Sequence, residues 1–145
     1  MLREMERIVE REGIDRSRLT IALGDLGTPR RLHLRQTRET ISIPENYFDG
    51  IFVSGALEHV PLEATVIRLA RLIKPGGMFF NLGMRRSPTG AVLGMMYGAK
   101  PYRIAAMRRA CEHAGLEDIR VIRLSVEDFP ANLSRIAITA KRSRI

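Results

Sequence analysis

The sequence predicts an α/β fold with a partly parallel sheet, and three observations carry that expectation. Gly50-Ile51-Phe52-Val53 is an apolar run unbroken by any polar side chain, as befits a strand covered on both faces. From Pro61 the apolar positions change period to Leu62, Val66, Leu69 and Ile73, which is the spacing of one helix face. Pro75-Gly76-Gly77 then stops the helix, and Met78 to Leu82 begins a second strand at once. This order describes one strand-to-helix unit of an α/β sheet, whose strands end at a ligand crevice.

The remaining elements follow in chain order. Leu2, Met5, Ile8 and Val9 form an apolar stripe at helical spacing and Gly13 is a suitable stop, so residues 1 to 12 are expected to be a helix. Leu19 to Leu23 reads as a strand closed by Gly24-Asp25. Arg31 to Arg35 alternates, Glu39 to Ile43 alternates again, and Gln36-Thr37-Arg38 lies between, which suggests an inserted β-hairpin or irregular ribbon. Pro44-Glu45-Asn46 turns the chain into the strand that starts at Tyr47-Phe48-Asp49. In the helix after Pro61, Arg68, Arg71 and Lys74 occupy the later turns, where cations complement the helix dipole. Gly83 to Pro101 is a long glycine-containing segment at the carboxyl end of a strand, where loops carry function. Arg103 to Ala114 is expected to be a helix capped by Gly115, followed by strands over Leu116 to Leu124 and Ser134 to Lys141.

The run Phe48-Asp49 through Ser54-Gly55-Ala56-Leu57-Glu58-His59-Val60, continued by Leu72-Ile73-Lys74-Pro75-Gly76-Gly77, resembles the central block of class I S-adenosylmethionine-dependent methyltransferases. Gly24-Asp25 resembles the end of that family's third strand, and the last two strands resemble its closing antiparallel hairpin. The resemblance covers about two thirds of the chain. It implies a partial Rossmann-like methyltransferase sheet with flanking helices and a C-terminal antiparallel hairpin, organised as a single methyltransferase-like domain over residues 1–145. It also implies methyl transfer to an undetermined, small-molecule acceptor.

Two family elements have no counterpart in these residues: the glycine-rich loop after the first strand, and the acid that ends the second. The chain looks like the carboxyl-terminal portion of the domain, truncated at its N-terminus, and weak or absent S-adenosylmethionine binding is expected of it alone. Asp15 has no apolar strand before it and is not assigned to ribose. In the family the absent strands lie between the third and fourth, so Gly50 to Ser54 would have an apolar edge. Exposed apolar edges invite pairing. Three covers are open: a second chain, as in a homodimer or with a partner; the ribbon at Arg31 to Ile43; or the strand at Leu19 to Leu23.

Site residues follow from the resemblance. Asp25 and Leu26 stand where the family meets the adenine, and Ser54, Gly55 and Ala56 stand beside the cofactor. Asp25 reads equally as a turn residue before Gly27. His59 is a candidate to deprotonate an acceptor, because histidine is the side-chain type suited to proton transfer near neutral pH. Its plainer role is a hydrogen bond at the start of the helix. Met95, Met96, Tyr97 and Tyr102 either line an apolar acceptor pocket or fill the core. Methyl transfer gains from alignment and desolvation, so the lack of a catalytic triad is no objection.

Composition sets the outer bounds. With 145 residues, 45% of them hydrophobic, the chain is long enough for one core. No apolar stretch approaches the roughly twenty residues of a membrane span, and Met1 to Arg7 carries acids and lacks a secretory apolar core, so a cytoplasmic protein is expected. The single cysteine, Cys111, and the absence of any His or carboxylate cluster at ligand spacing give no metal signal. A net charge of +8 raises nucleic acid as a partner. Arginine outnumbers lysine 21 to 3 but is spread along the chain, and the cluster Arg30, Arg31, His33, Arg35 and Arg38 has no interleaved aromatic to stack on a base. A basic nucleic-acid-binding domain is therefore the less favoured alternative, beside a noncatalytic methyltransferase-like interaction module.

Overall fold

The computed structural model describes residues 2–145, with side chains from residue 4 onward. The chain divides into two units, Met1–Ile43 and Pro44–Ile145.

The first unit begins with helix α1 (Leu2–Arg11). A short turn of 3₁₀ helix over Arg16–Arg18 follows, with the Asp15 side chain accepting from Ser17 N–H. Strands β1 (Ala22–Gly24), β2 (Arg31–Leu34) and β3 (Thr40–Ser42) then form an antiparallel sheet in the order β1-β2-β3. The alternating ribbon is thus a hairpin, with Leu32 opposite Ile41. Strand β1 pairs with this ribbon through Ala22 opposite Leu34 and joins no parallel sheet among the described residues.

The second unit is a mixed sheet in the order β4-β5-β7-β6, formed by β4 (Phe48–Ser54), β5 (Ile73–Met84), β6 (Leu116–Ile122) and β7 (Arg135–Arg142). Strands β4 and β5 are parallel, and the other pairings are antiparallel. This is the α/β class expected from the sequence, with the closing hairpin in place. Helix α2 (Leu62–Leu72) makes the crossover from β4 to β5 and packs against α4 (Ile104–His113). Val66, Leu69 and Ala70 from α2, Met107 and Cys111 from α4, and Phe79 and Ile138 from the sheet are buried. Burial pushes the Cys111 thiol up to about 11, so it is a neutral core group.

Three details differ from the sequence expectation. Helix α2 passes directly into β5, and Pro75-Gly76-Gly77 lies inside that strand as an irregularity: Phe48 pairs with Ile73, yet Gly50 pairs with Met78. Gly76 has φ +78°, and a Cβ at Gly77 would stand 2.7 Å from Asp49 O and 2.9 Å from Lys74 O, so the bend depends on glycine. The segment after Met84 is not a loop throughout but contains helix α3 (Pro88–Tyr97), capped by Ser87 and ended by Gly98 at φ +62°. Finally, β4 has one strand neighbour, β5, among the described residues. The ribbon and β1 are paired in the first unit's own sheet, so neither supplies the cover expected from the sequence. Asp49, Gly50, Phe52 and Ser54 are exposed, and the Phe52 ring stacks on Phe80 at 4.9 Å.

Sheet alternation separates these side chains: Phe79 is fully buried, whereas Phe52 is 63% exposed. Phe79→Ala is expected to lower unfolding free energy by about 3–5 kcal/mol, the usual cost of emptying an aromatic core position. Phe52→Ala should lose about 1 kcal/mol or less. Urea denaturation of both variants checks the difference, and equal losses would contradict this assignment of faces.

Candidate functional site

Parallel pairing brings the carboxyl ends of β4 and β5 to the same end of the sheet, with Ser54 opposite Leu82. Gly55 follows β4 at φ +60°, and its N–H donates to Leu82 O at 3.1 Å. The next turn, 3₁₀ helix over Leu57–His59, buries Leu57 and Glu58 and leaves His59 exposed. Glu58 Oε1 accepts from Met84 N–H, at the last residue of β5. Its backbone carbonyl accepts from Lys100 N–H at 3.1 Å. One residue therefore links the end of β4, the end of β5 and the segment after α3.

A buried polar cluster lies at this end of the sheet. Asn81, fully buried on β5, donates through Nδ2 to the Tyr102 hydroxyl. Burial first, and then the Glu58 carboxylate, hold that hydroxyl well above its ordinary pKa, so Tyr102 stays protonated. Glu58 Oε2, Asn81 Oδ1 and Arg135 Nη1 are buried without hydrogen-bond partners among the described residues. Arg135 Nη1 stands 3.2 Å from where a Cβ on Gly55 would lie. Orphan acceptors and an orphan donor in one place are suited to a polar ligand or ordered water.

Beside this cluster is a cavity of about 760 Å³. It is walled by Pro88, Ala91, Gly94 and Met95 of α3, by Arg86 and Ser87 before it, and by Gly98 to Pro101 after it. Ser87 fixes the start of α3: its hydroxyl donates to Leu133 O at 2.9 Å and accepts from Gly90 N–H at 3.0 Å. The volume falls in the range of small-molecule sites.

The sequence candidates fall into separate places. Asp25 and Leu26 follow β1 in the first unit. Asp25 Oδ1 accepts from Gly27 N–H at 2.7 Å, which is the turn role. Asp25 also lines a cavity of about 480 Å³ with Gly24, Thr28, Arg31 and His33. Ser54, Gly55 and Ala56 stand in the second unit at the carboxyl end of β4. Of the four acceptor-pocket candidates, Met95, Met96 and Tyr97 are all exposed, and only Met95 lines the large cavity. Tyr102 belongs instead to the polar cluster.

Sequence reasoning did not single out Asn81, Arg135, Arg86 or Lys100. Asn81 carried a signal, as the one polar side chain within the apolar run Met78 to Leu82. The other three are among many basic residues and have no comparable mark. Among the described residues no group of three or more His, Cys, Asp or Glu could hold a metal ion. No helix among them is long and apolar enough to cross a membrane.

The residues present fit part of S-adenosylmethionine. Asp25 keeps one carboxylate oxygen clear of its turn, and the Gly55 turn with its adjacent orphan polar atoms suits a polar group. The 145 residues contain no glycine-rich loop to hold the methionine portion.

A family model described as a methyltransferase domain matches residues 1–81. No curated protein matches the sequence. Among solved structures, Haemonchus contortus phosphoethanolamine N-methyltransferase 2 in complex with S-adenosyl-L-methionine is similar at TM-score 0.56 and 13% identity, over 71% of this chain and 35% of that one. Geranyl diphosphate C-methyltransferase from Streptomyces coelicolor, in complex with Mg²⁺, geranyl diphosphate and S-adenosyl-L-homocysteine, is similar at 0.56 and 11%, over 69% and 48%. A SAM dependent methyltransferase from Archaeoglobus fulgidus gives 0.56 and 15%, over 69% and 62%. The chain thus spans between about a third and three fifths of the length of these structures.

The polar cluster generates a coupling test. A Cβ on Gly83 would collide with the Tyr102 hydroxyl and stand 3.0 Å from Asn81 Nδ2. Gly83→Ala is expected to cost about 1–3 kcal/mol through overpacking. Removing the hydroxyl with Tyr102→Phe should make the double variant more stable than the sum of the single losses by about 0.5 kcal/mol or more. Additive losses in denaturant titrations would show that the clash is not at the hydroxyl.

Proposed function

This chain belongs to the methyltransferase domain family, and on that premise we propose that it takes part in S-adenosylmethionine-dependent methyl transfer to a small-molecule acceptor. The observation that carries the proposal is the conjunction, at the carboxyl ends of β4 and β5, of the Gly55 turn, buried unpartnered polar atoms and a cavity of about 760 Å³. Small-molecule ligands named for the neighbours, phosphomonomethylethanolamine and geranyl diphosphate, support that acceptor class.

When bound, S-adenosylmethionine supplies an electrophilic methyl group on a sulfonium. The chain's own residues bind and orient. In the first unit, Asp25 and Leu26 are the residues that would meet the adenine. In the second, Ser54, Gly55 and Ala56 are the residues that would flank the cofactor, and the solvent-open cavity with Met95 in its wall would receive the acceptor. His59 is exposed beside the buried Glu58 and outside the cavity's lining, so no proton transfer is assigned to it. Alignment supplies much of the acceleration.

Calorimetry with S-adenosyl-L-homocysteine tests the cofactor half of this proposal. Without a glycine-rich loop in these residues, a Kd weaker than about 10 μM is expected, where good cofactor sites are often far tighter. Asp25→Ala should weaken binding by about 1–3 kcal/mol, the range for losing a charged hydrogen-bond partner. Unchanged affinity in that variant would return Asp25 to its turn, and no binding at millimolar concentration would favour the noncatalytic module.

A second chain on the outer edge of β4 is part of the same proposal, because that edge has no strand partner among the described residues. Light scattering on the purified chain is expected to give twice the monomer mass of 16.4 kDa. A monodisperse monomer would remove the homodimer and leave only a different partner chain.

A further inference from the structure

The large cavity is asymmetric in charge. Pro88, Ala91, Met95 and Pro101 give it an apolar wall, and Arg86 and Lys100 line it from the two segments that flank α3. No carboxylate shares the lining, and neither cation makes an ion pair among the described residues. Both are held by anchored backbone. Ser87, next to Arg86, bonds to Leu133 O, and Lys100 N–H bonds to the carbonyl of Glu58. The Glu58 carboxylate itself is buried and directed to Met84 N–H, so it is no counter-ion for either.

Two like charges beside an apolar surface attract an anion, and a charge-assisted contact to guanidinium or ammonium is about twice as strong as a neutral one. Both cations are solvent-exposed, so a purely apolar ligand would gain nothing from them. A cationic ligand would be repelled. We infer that this cavity takes an anion joined to a compact apolar body, its carboxylate or phosphate held by Arg86 and Lys100 and its body resting on Ala91, Met95 and the two prolines. The inference rests on reading the cavity as the acceptor's place and specifies the acceptor's charge class.

Octyl phosphate and octanoate are the probes, with octanol and octylamine as neutral and cationic counterparts, each titrated calorimetrically onto the full 145-residue chain. Both anions are expected to bind, with octanol and octylamine at least about tenfold weaker. Arg86→Gln with Lys100→Gln should weaken octyl phosphate about tenfold or more. Arg108→Gln with Arg109→Gln removes the same charge from exposed positions on α4, and should change affinity by less than about threefold through screened long-range attraction. Tighter binding of octyl phosphate or of octanoate tells a phosphate head from a carboxylate one, and either supports the inference.

Ala91→Trp separates the two levels of the proposal, since Ala91 is an exposed position whose enlargement fills the cavity without disturbing a core. It should abolish binding of every probe. Octanol that binds as well as the anions and is blocked by Ala91→Trp would overturn the charge inference and leave the acceptor cavity standing. Anion binding that survives Ala91→Trp, or equal loss in the two arginine–lysine and arginine–arginine variants, would overturn the inference by placing the anion elsewhere. No binding of any probe would overturn the acceptor cavity as well.

Discussion

Parallel pairing of β4 with β5 is the constraint on which the second unit's candidate chemistry depends. Two strands in the same direction need a crossover, which α2 supplies, and their carboxyl ends then lie together. Every further candidate group in this unit is positioned from that end. Glu58 sits one turn beyond β4 yet satisfies the last N–H of β5, while its carbonyl fixes Lys100 and so one wall of the cavity. A buried acid here is explained by its backbone partner on one oxygen, and its other oxygen is one of five buried unpartnered polar atoms among the described residues, three of which lie at this strand end. Burial of polar groups without partners is costly, so their concentration at one strand end, and not elsewhere in the sheet, is the most direct structural pointer to a ligand.

Part of the arginine content serves internal contacts. Arg142 Nη1 donates to Ala70 O at 3.1 Å, Arg71 O at 3.0 Å and Asn46 Oδ1 at 2.7 Å, and so closes the carbonyl end of α2. Arg30 Nε donates to Ile43 O at 3.1 Å, and Arg35 pairs with Glu6 at 3.3 Å. Two members of the Arg30–Arg38 cluster thus have internal partners, and the hairpin that carries the cluster offers no aromatic platform. A guanidinium can meet several carbonyls from one side chain. Net charge read from a sequence cannot distinguish that use from a phosphate-binding surface.

The fold was legible where a pattern has a strict period. The apolar strand at Gly50, the helix over Leu62 to Leu72 and the closing hairpin were all visible, because burial imposes spacing on side chains. The α3 helix was missed because its glycines mask a sequence that is apolar around its whole circumference, with no stripe to read. Pro75-Gly76-Gly77 has the local composition of a turn between elements, but β5 has already paired at Ile73 before it. Local breaker residues mark a bend; long-range pairing decides whether the strand continues through it. The site was legible only in part. Ser54, Gly55 and Ala56 follow from the strand end, whereas Arg86 and Lys100 are fourteen positions apart and meet at one cavity only because α3 folds between them.

Strand β4 shows most clearly where sequence and tertiary context diverge. Its composition resembles that of a strand buried on both faces, yet only Val53 is buried, and Phe52 gains its cover from one neighbour ring, Phe80. Alternation assigns Phe52, Phe80 and Met78 to one face and Phe79 and Asn81 to the other, where α2 and α4 complete the core. An apolar run therefore specified strand type correctly and the cover of the strand's two faces wrongly. The stacked rings offset only part of the exposure, because a ring pair still leaves its outer surface in water. Residual apolar surface beside a backbone edge with no strand partner among the described residues is the physical ground on which a further chain is proposed at this strand.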